Sequence, residues 1–395
     1  MTDAHPRSLR VVIAPDSFGG ALDSVGVTAA IAAGWAGVRP NDEVLRRPMA
    51  DGGEGTLAAV ADALGEAAAR RSVETTDALG RPITADWLLV DDGRGAFVEM
   101  AAASGLARIE VEERTAGAAR RATTRGTGDL VRAALDAGVE RITIGLGGSA
   151  TTDGGSGLLT ALGLRLSGRG GTELPPGGGA LADLDAIDTS GLDPRLGDVQ
   201  IVVASDVTNP LCGPRGAAAT YGPQKGADPT AVEELDVALA AWGRGIERAT
   251  GRLVADIPGA GAAGGTTAGL LGFTRAAVRP GVEVVGELVG LAAALETADL
   301  VITGEGRADE QTLHGKAAMG VATLARPRGT PVVLLCGALG PGAEALDAAT
   351  AVEVVQPIID RPTDLAVAMA DTERLLRAAA GRLARTIGIG LALPR

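Results

Sequence analysis

Short apolar runs alternate along the chain with glycine-rich junctions and with segments of helical period. Residues 9–14 form the first run and are expected to be a buried strand ending at Pro15-Asp16-Ser17-Phe18-Gly19-Gly20. Residues 24–35 then carry the period of an amphipathic helix. A second short strand over 43–47 leads through Pro48-Met49-Ala50-Asp51-Gly52-Gly53-Glu54-Gly55-Thr56 into another helix. Such a βαβα opening predicts a parallel sheet with helices on its faces. The pattern changes near residue 70. Runs over 72–76, 83–90 and 96–100 are β-like, and Ala78-Leu-Gly-Arg-Pro82 and Asp91-Asp-Gly93 separate them as hairpin turns do. A helix over 126–137, a strand over 141–144, a glycine-rich loop over 145–157 and a helix start follow. Beyond a Gly/Pro-rich loop over 167–180, a strand is expected over 199–204 and a helix over 229–250; Pro258 to Gly265 leads into another helix. From about residue 295 the βα alternation returns, with strands over 300–303, 331–336 and 351–355 and helices over 342–348 and 363–386. The expected fold is α/β with two α/β domains. A discontinuous, parallel-sheet (Rossmann-like) domain takes 1–70 plus 295–395. A mixed α/β domain with antiparallel hairpins, 71–294, is inserted into it, and the active site is expected in the interdomain cleft.

Composition narrows the class. The chain has 395 residues and 46% hydrophobic content, enough for two cores, but aromatics are 2%, so those cores are aliphatic. Glycine, at 59 residues, is roughly twice the usual share and gathers at strand-to-helix junctions. A net charge of −13 argues against a general nucleic-acid or anionic-membrane binder, though a small anion needs only a local cation. Cys212 and Cys336 stand far apart and read as small core hydrophobes, not as a disulfide or a thiolate metal site. His5 and His314 are the only histidines, too few for a histidine metal site or a Ser-His-Asp triad. The first ten residues lack an apolar signal core and no run reaches the ~18 residues of a membrane span. The expectation is a cytoplasmic protein without membrane or nucleic-acid partners.

The richest chemistry lies in Gly145-Leu-Gly-Gly-Ser-Ala-Thr-Thr-Asp-Gly-Gly-Ser-Gly157, with six glycines in thirteen residues. Glycines let backbone amides approach a ligand, and amides at a helix start favour anions. Asp153 in the same loop calls for a metal ion or a transferable proton beside any phosphate. Phosphoryl transfer needs a cradle, Mg²⁺, a cation and a group that orients the acceptor hydroxyl. Glu305 and Asp309, four apart after a strand, would serve Mg²⁺; Lys316, at the next helix start, would meet phosphate. Asp16, Asp51, Asp153 and Asp206 each lie just beyond a strand or at a helix start, where open α/β sheets bind ligands. Any one of these aspartates alone is more simply a helix N-cap, Lys225 alone a solvated lysine, and His314 alone a carbonyl partner. The set favours function. Asp51 and Asp153 open the same string, DGGxGxL, before a helix. There is no GxxxxGK[ST] loop and no protein-kinase HRD or DFG set. Gly145, Gly147 and Ala150 match the dinucleotide fingerprint GxGxx[GA], which leaves an NAD-type oxidoreductase as an alternative. The acidic residue expected ~20 positions on is replaced by Glu173 inside a Gly/Pro-rich loop.

Nine strings run in order through the chain: Ile13-Ala-Pro-Asp-Ser-Phe18, Pro48 to Thr56, Glu99-Met-Ala-Ala-Ala-Ser-Gly105, Thr124-Arg-Gly-Thr-Gly128, Ile144 to Gly155, Asp206-Val-Thr-Asn-Pro-Leu211, Gly222-Pro-Gln-Lys-Gly-Ala227, Pro258 to Gly265, and Thr303-Gly-Glu-Gly-Arg307 with Gln311-Thr-Leu-His-Gly-Lys316. In these the chain resembles the bacterial glycerate kinases, a family distinct from the protein kinases and the P-loop enzymes. The resemblance implies ATP- and Mg²⁺-dependent phosphorylation of D-glycerate, with 2-phosphoglycerate favoured over 3-phosphoglycerate, and glycerate and ATP as partners; a homo-oligomer stays open. It places Asp206 or Asp153 on the attacking hydroxyl, with Asp16 and Lys316 as further catalytic candidates and Glu305 and Asp309 on the metal. Ser17, Asp51, Gly147, Gly148, Ser149, Thr151, Asn209, Lys225 and Arg307 are the candidates for substrate or phosphate contact. One position departs: the family usually carries lysine after Asp-Ser-Phe, and here Gly19 stands there. That departure keeps a kinase of another small hydroxy acid as an alternative.

Overall fold

The computed structural model of the chain describes residues 7–313, 317–343, 346 and 352–393. Among these, the strands in chain order are β1 (Arg10–Ile13), β2 (Glu43–Arg46), β3 (Ala69–Thr76), β4 (Pro82–Val90), β5 (Gly95–Glu99), β6 (Arg141–Gly145), β7 (Arg165–Gly168), β8 (Leu184–Asp188), β9 (Gln200–Ala204), β10 (Ala277–Arg279), β11 (Leu300–Ala308), β12 (Val332–Leu339) and β13 (Val352–Pro357). The chain divides into two compact units. One comprises Met1–Asp51, Ala58–Gly65 and Val282–Arg395; the other comprises Gly52–Leu57 and Glu66–Gly281.

The first unit is built on a five-stranded sheet in the order β13-β12-β11-β1-β2, with every pair parallel. The near-continuous apolar runs of β1 and the start of β11 follow from burial on both faces. Val11 pairs with Leu300 and Ile13 with Ile302. On one face, helices Ser24–Ala36 and Thr372–Ala392 bring Val27, Ile31, Trp35, Leu375, Leu376 and Leu383 against Val11, Ile13, Ile302 and Leu335. The two helices cross closely at Gly34, where a Cβ would overlap the Arg377 carbonyl oxygen.

Two expectations for this unit need correction. The strand read over 300–303 runs on to Ala308, and Arg307 and Ala308 still pair with Ala338 and Leu339 of β12. The polar and glycine residues of Thr303-Gly-Glu-Gly-Arg307 end the apolar run but not the ladder, which β12 sustains. The single helix read over 363–386 is two, Leu365–Ala370 and Thr372–Ala392, broken at Asp371 (φ −96°, ψ 7°). The helix read over 342–348 falls mostly outside the described residues.

The second unit carries a six-stranded mixed sheet in the order β10-β9-β6-β5-β4-β3. The β3–β4 and β4–β5 pairs are the antiparallel hairpins expected from their turns, and β5–β6, β6–β9 and β9–β10 are parallel. Ile142, Ile144, Ile201 and Val203 pack with Leu130, Leu158, Leu235 and Trp242 from the covering helices. Helix Arg125–Asp136 meets the short helix Ser156–Ala161 at Gly128, where a Cβ would overlap the Leu158 carbonyl oxygen. The Gly/Pro-rich segment read as loop is flanked by a small antiparallel pair, β7 and β8. A parallel sheet in one unit and a mixed sheet in the other give the α/β class expected. No described helix is long and apolar enough to cross a membrane.

Candidate active site

In the second unit, β6 delivers the chain to the glycine-rich loop, and the loop is held against a second glycine string. The Gly147 N–H donates to the Gly52 carbonyl at 3.1 Å, and a Cβ on Gly147 would overlap Gly53 Cα. Gly147 therefore has to be glycine because backbone packs on it. Gly148, at φ +72°, turns the chain so that Ser149 and Thr151 face inward, both buried.

Lys225 meets them there. It ends a 3₁₀ turn, Pro223–Lys225, and Gly226 follows at φ +94°, packed so closely on Arg114 that a Cβ would overlap its backbone. This pins the lysine inward instead of leaving it in solvent. Its side chain is only 3% exposed. Lys225 Nζ donates to Ser149 Oγ at 2.9 Å and to the Thr151 carbonyl oxygen at 2.6 Å. Burial pulls the ammonium down to about 7, against the charge of Asp153, which favours the protonated form. Gly147, Gly148, Ser149, Lys225, Arg114 and Tyr221 are among the residues lining a cavity of about 490 Å³. Arg114 is fixed at its wall, donating through Nε to the Ile109 carbonyl at 3.0 Å and through Nη2 to that of Leu106 at 3.2 Å.

Asp153 is fully buried and does not face this space as an open carboxylate. Its Oδ2 accepts from the Thr124 N–H (2.8 Å), Thr124 Oγ1 (2.9 Å) and the Gly157 N–H (3.2 Å), and its Oδ1 accepts from the Gly155 N–H (3.1 Å). Burial raises its carboxyl above the usual range, opposed by these four bonds. It ties the start of helix Arg125–Asp136 to the turn that opens at Ser156, which is the capping role any single aspartate could have had. Asn209, expected to contact substrate, instead spends its side chain on the fold. Its Nδ2 donates to the Arg215 carbonyl (2.7 Å) and Thr220 Oγ1 (3.2 Å), and its Oδ1 accepts from the Tyr221 hydroxyl (2.9 Å). Asp206 is exposed just past β9, with Oδ1 accepting from the Gly281 N–H at 3.0 Å. Its neighbour Val207 lines the same cavity as Lys225.

In the first unit, Asp16, Asp51 and Glu305 form one acidic group. Burial pushes the Asp16 carboxyl up to about 6. The Ser17 N–H, donating to Oδ1 at 2.6 Å, opposes this, and the charges of Asp51 and Glu305 add to it. Ser17 itself is exposed. Of the metal pair read from the sequence, Glu305 lies within β11 and Asp309 just past its end, with Asp309 Oδ2 3.2 Å from Arg307 Nε. Asp309 also shapes the turn after β11, its N–H donating to Thr312 Oγ1 at 3.0 Å. Among the described residues, no three His, Cys, Asp or Glu side chains converge closely enough to hold a metal ion by themselves. Lys316 and His314 lie outside the described residues.

Three functional-looking groups were passed over by the sequence reading: Arg114, Tyr221 and Glu99. Glu99 is buried at the end of β5 and accepts from the Gly55 N–H (3.1 Å) and the Leu57 N–H (2.7 Å). A carboxylate at the C-terminal end of an apolar strand was the available signal. Arg114 and Tyr221 carried none, because their place is set by packing remote in sequence.

The chain matches the glycerate kinase family over residues 11–388. It is 45% identical over 338 residues to a protein of Bacillus subtilis (strain 168) named glycerate kinase, covering 86% of this chain and 87% of the relative. It is 45% identical over 331 residues to the glycerate 2-kinase of Escherichia coli (strain K12), covering 84% and 86%. A crystal structure from Salmonella typhimurium LT2, of a protein provisionally named glycerate kinase 2, superposes with a TM-score of 0.85 at 43% identity, covering 98% of this chain and all of the other. With the ordered motifs and both sheets in place, the chain belongs to the glycerate kinase family.

Proposed function

We propose that the protein transfers the γ-phosphoryl group of ATP to the 2-hydroxyl of D-glycerate, giving 2-phosphoglycerate and ADP, with Mg²⁺ bound to the nucleotide. The observation that carries this reading is 45% identity, over 84% of the chain, to a relative named glycerate 2-kinase. In the transfer, the 2-hydroxyl oxygen bonds to the γ-phosphorus, the bond from that phosphorus to the β,γ-bridging oxygen breaks, and the hydroxyl proton must leave. Asp206 is the proposed acceptor of that proton: it is exposed, and the Gly281 N–H orients it beside a cavity-lining residue. Asp153 suits this role less, because its oxygens are committed to four donors.

Nucleotide-bound Mg²⁺ takes one or two carboxylates and completes its shell with phosphate and water. Asp16 and Glu305, whose mutual repulsion a cation relieves, fit that demand better than Glu305 with Asp309. Bound there, the ion would neutralise charge on the phosphates. Lys316 and Arg307 are the proposed cations for the same phosphates, and Ser17 and Asp51 the further contacts in that unit. The reaction is expected in the cytoplasm. A second acid substrate is the competing reading, favoured by Gly19 at the position where the family resemblance implies lysine. The dinucleotide reading draws no support from Gly147, whose Cβ side is filled by Gly53.

A coupled assay of ADP release with D-glycerate, L-glycerate, glycolate and lactate tests the substrate, and phosphorus NMR of the product tests the position. Turnover of D-glycerate to the 2-phosphate, abolished by EDTA, is expected. Turnover of another acid alone would overturn the substrate, a 3-phosphate product the position, and ATP-independent chemistry the class.

A further inference from the structure

A lysine ammonium has three N–H donors. Lys225 spends two of them on Ser149 Oγ and the Thr151 carbonyl, both neutral acceptors. Among the described residues, no carboxylate lies within ion-pair distance of Nζ; Asp153 acts on it only through space, its own oxygens being turned to Thr124, Gly155 and Gly157. A buried cation without an ion pair is costly, and a methionine of similar length would avoid the cost. The site is nonetheless built to hold it: the left-handed Gly226 and the closeness of Arg114 drive the side chain inward, and Lys225 lines a cavity with room for a small ligand. Arg114 adds a second fixed cation to the same wall.

We propose that this cavity is a carboxylate subsite, in which Lys225 and Arg114 receive the carboxylate of the 2-hydroxy acid and Ser149 positions Lys225. The identity of the acid rests on the kinase reading above; the subsite rests on the cavity. A monoanion matches the charge of the lining, where Lys225 and Arg114 stand against the single carboxylate of Glu54. A triphosphate would bring several more negative charges to the same walls. The position of Asp206 agrees, since in a 2-hydroxy acid the reacting hydroxyl is on the carbon next to the carboxylate, and Val207 places the proposed base beside the same cavity.

Binding has a proton signature. Without ligand, Lys225 loses its proton near pH 7, and a bound carboxylate favours the charged form. Acid binding at pH 8 therefore takes up a proton, and binding at pH 6 does not. The charged and titratable side chains facing Lys225 are Asp153 behind it and Glu54, Arg114 and Tyr221 across the cavity. Their contribution is removed by comparing wild type with Lys225→Met at each pH.

The test uses the whole chain. Calorimetry without nucleotide measures binding of D-glycerate, glycolate, glycerol and inorganic phosphate at pH 6 and 8, in buffers of different ionisation heat. Steady-state kinetics then give KM for D-glycerate and for MgATP in wild type, Lys225→Met and Ser149→Ala. Wild type should bind both acids with uptake of up to one proton at pH 8, and should not bind glycerol. Lys225→Met should raise the D-glycerate KM by about 10–100-fold, the loss expected for charge-assisted hydrogen bonds. MgATP should stay within threefold and the proton uptake should vanish. Ser149→Ala should raise the acid KM less, with kcat kept and the pH dependence of KM displaced. A rise in the MgATP KM with glycerate unchanged, or preference for inorganic phosphate, would overturn the carboxylate assignment and make the cavity a phosphate site. Acid binding without proton uptake in wild type would overturn it even if the variants failed to fold. Lys225-dependent acid binding with no turnover of any hydroxy acid would overturn the kinase reading and leave the subsite standing.

Discussion

Asp153→Asn separates a structural carboxylate from a catalytic one. The substitution keeps shape and removes charge. Four donors point at the carboxylate, three at Oδ2 and one at Oδ1. An amide can satisfy the three with its oxygen, but its NH₂ then faces the Gly155 N–H, donor against donor. The lost bond and the buried clash cost about 2–4 kcal/mol, partly offset because no buried charge remains. For a domain near 200 residues, each kcal/mol moves the melting temperature by about 2–4 °C, so a loss of about 5–15 °C is expected. Trp242 is a built-in reporter, since its Nε1 donates to the Gly154 carbonyl at 2.9 Å, next to the substituted residue. Urea and thermal unfolding followed by tryptophan fluorescence give the stability. Activity at 15 °C with saturating substrates gives kcat, which should stay within about threefold of wild type, whereas loss of a general base costs about 10²-fold or more. Unchanged stability with kcat reduced a hundredfold would refute the capping assignment and return Asp153 to the chemistry.

Lys225 is held near 7, well below the ordinary lysine value, so the folded state gives up a proton there that the unfolded chain keeps. Its burial penalty is full below pH 7 and fades towards pH 10; relative to Lys225→Met, wild type should gain about 1.4 kcal/mol per pH unit over that window, and parallel urea-midpoint profiles would contradict this. Gly19 has ordinary φ and nothing within 4 Å of a Cβ. Gly19→Lys should therefore fold with stability within about 0.5 kcal/mol of wild type and lower the MgATP KM about 2–5-fold, the worth of one exposed charge contact; an unchanged nucleotide KM would remove position 19 from the phosphate contacts. Ala263 is left-handed at φ 51° without being glycine, so Ala263→Gly should stabilise by about 0.5–1 kcal/mol, and a lowered melting temperature would show that its methyl group is needed where it lines the cavity.

What could be read in advance was what neighbouring residues decide among themselves. Helix Pro229–Thr250 was legible to the residue: Asp228 caps it by accepting from the Ala231 N–H, Pro229 opens it, and Gly251 closes it at φ +75°. The buried parallel strands announced themselves as apolar runs. The extension of β11 did not, because its last residues are held by pairing with β12 and not by their own composition. Site residues divide along the same line. That Asp51 and Asp153 lie at glycine-rich helix starts follows from DGGxGxL; the string is the same in both. Yet Asp51 is exposed and Asp153 is wholly buried. The difference is made by partners far away in sequence, since Thr124 caps the Asp153 carboxylate and Trp242 closes over Gly154. Lys225 is the converse case: a lysine in a Gly-Pro-Gln-Lys-Gly turn reads as solvated, and only Ser149, Thr151 and the backbone of Arg114 make it a buried cation. Local sequence fixes where a charged group enters the fold, and burial fixes whether it can do chemistry. The same aspartate string can therefore yield a helix cap in one place and an exposed carboxylate in another, while a lysine that alone reads as solvated becomes a buried anion-binding candidate.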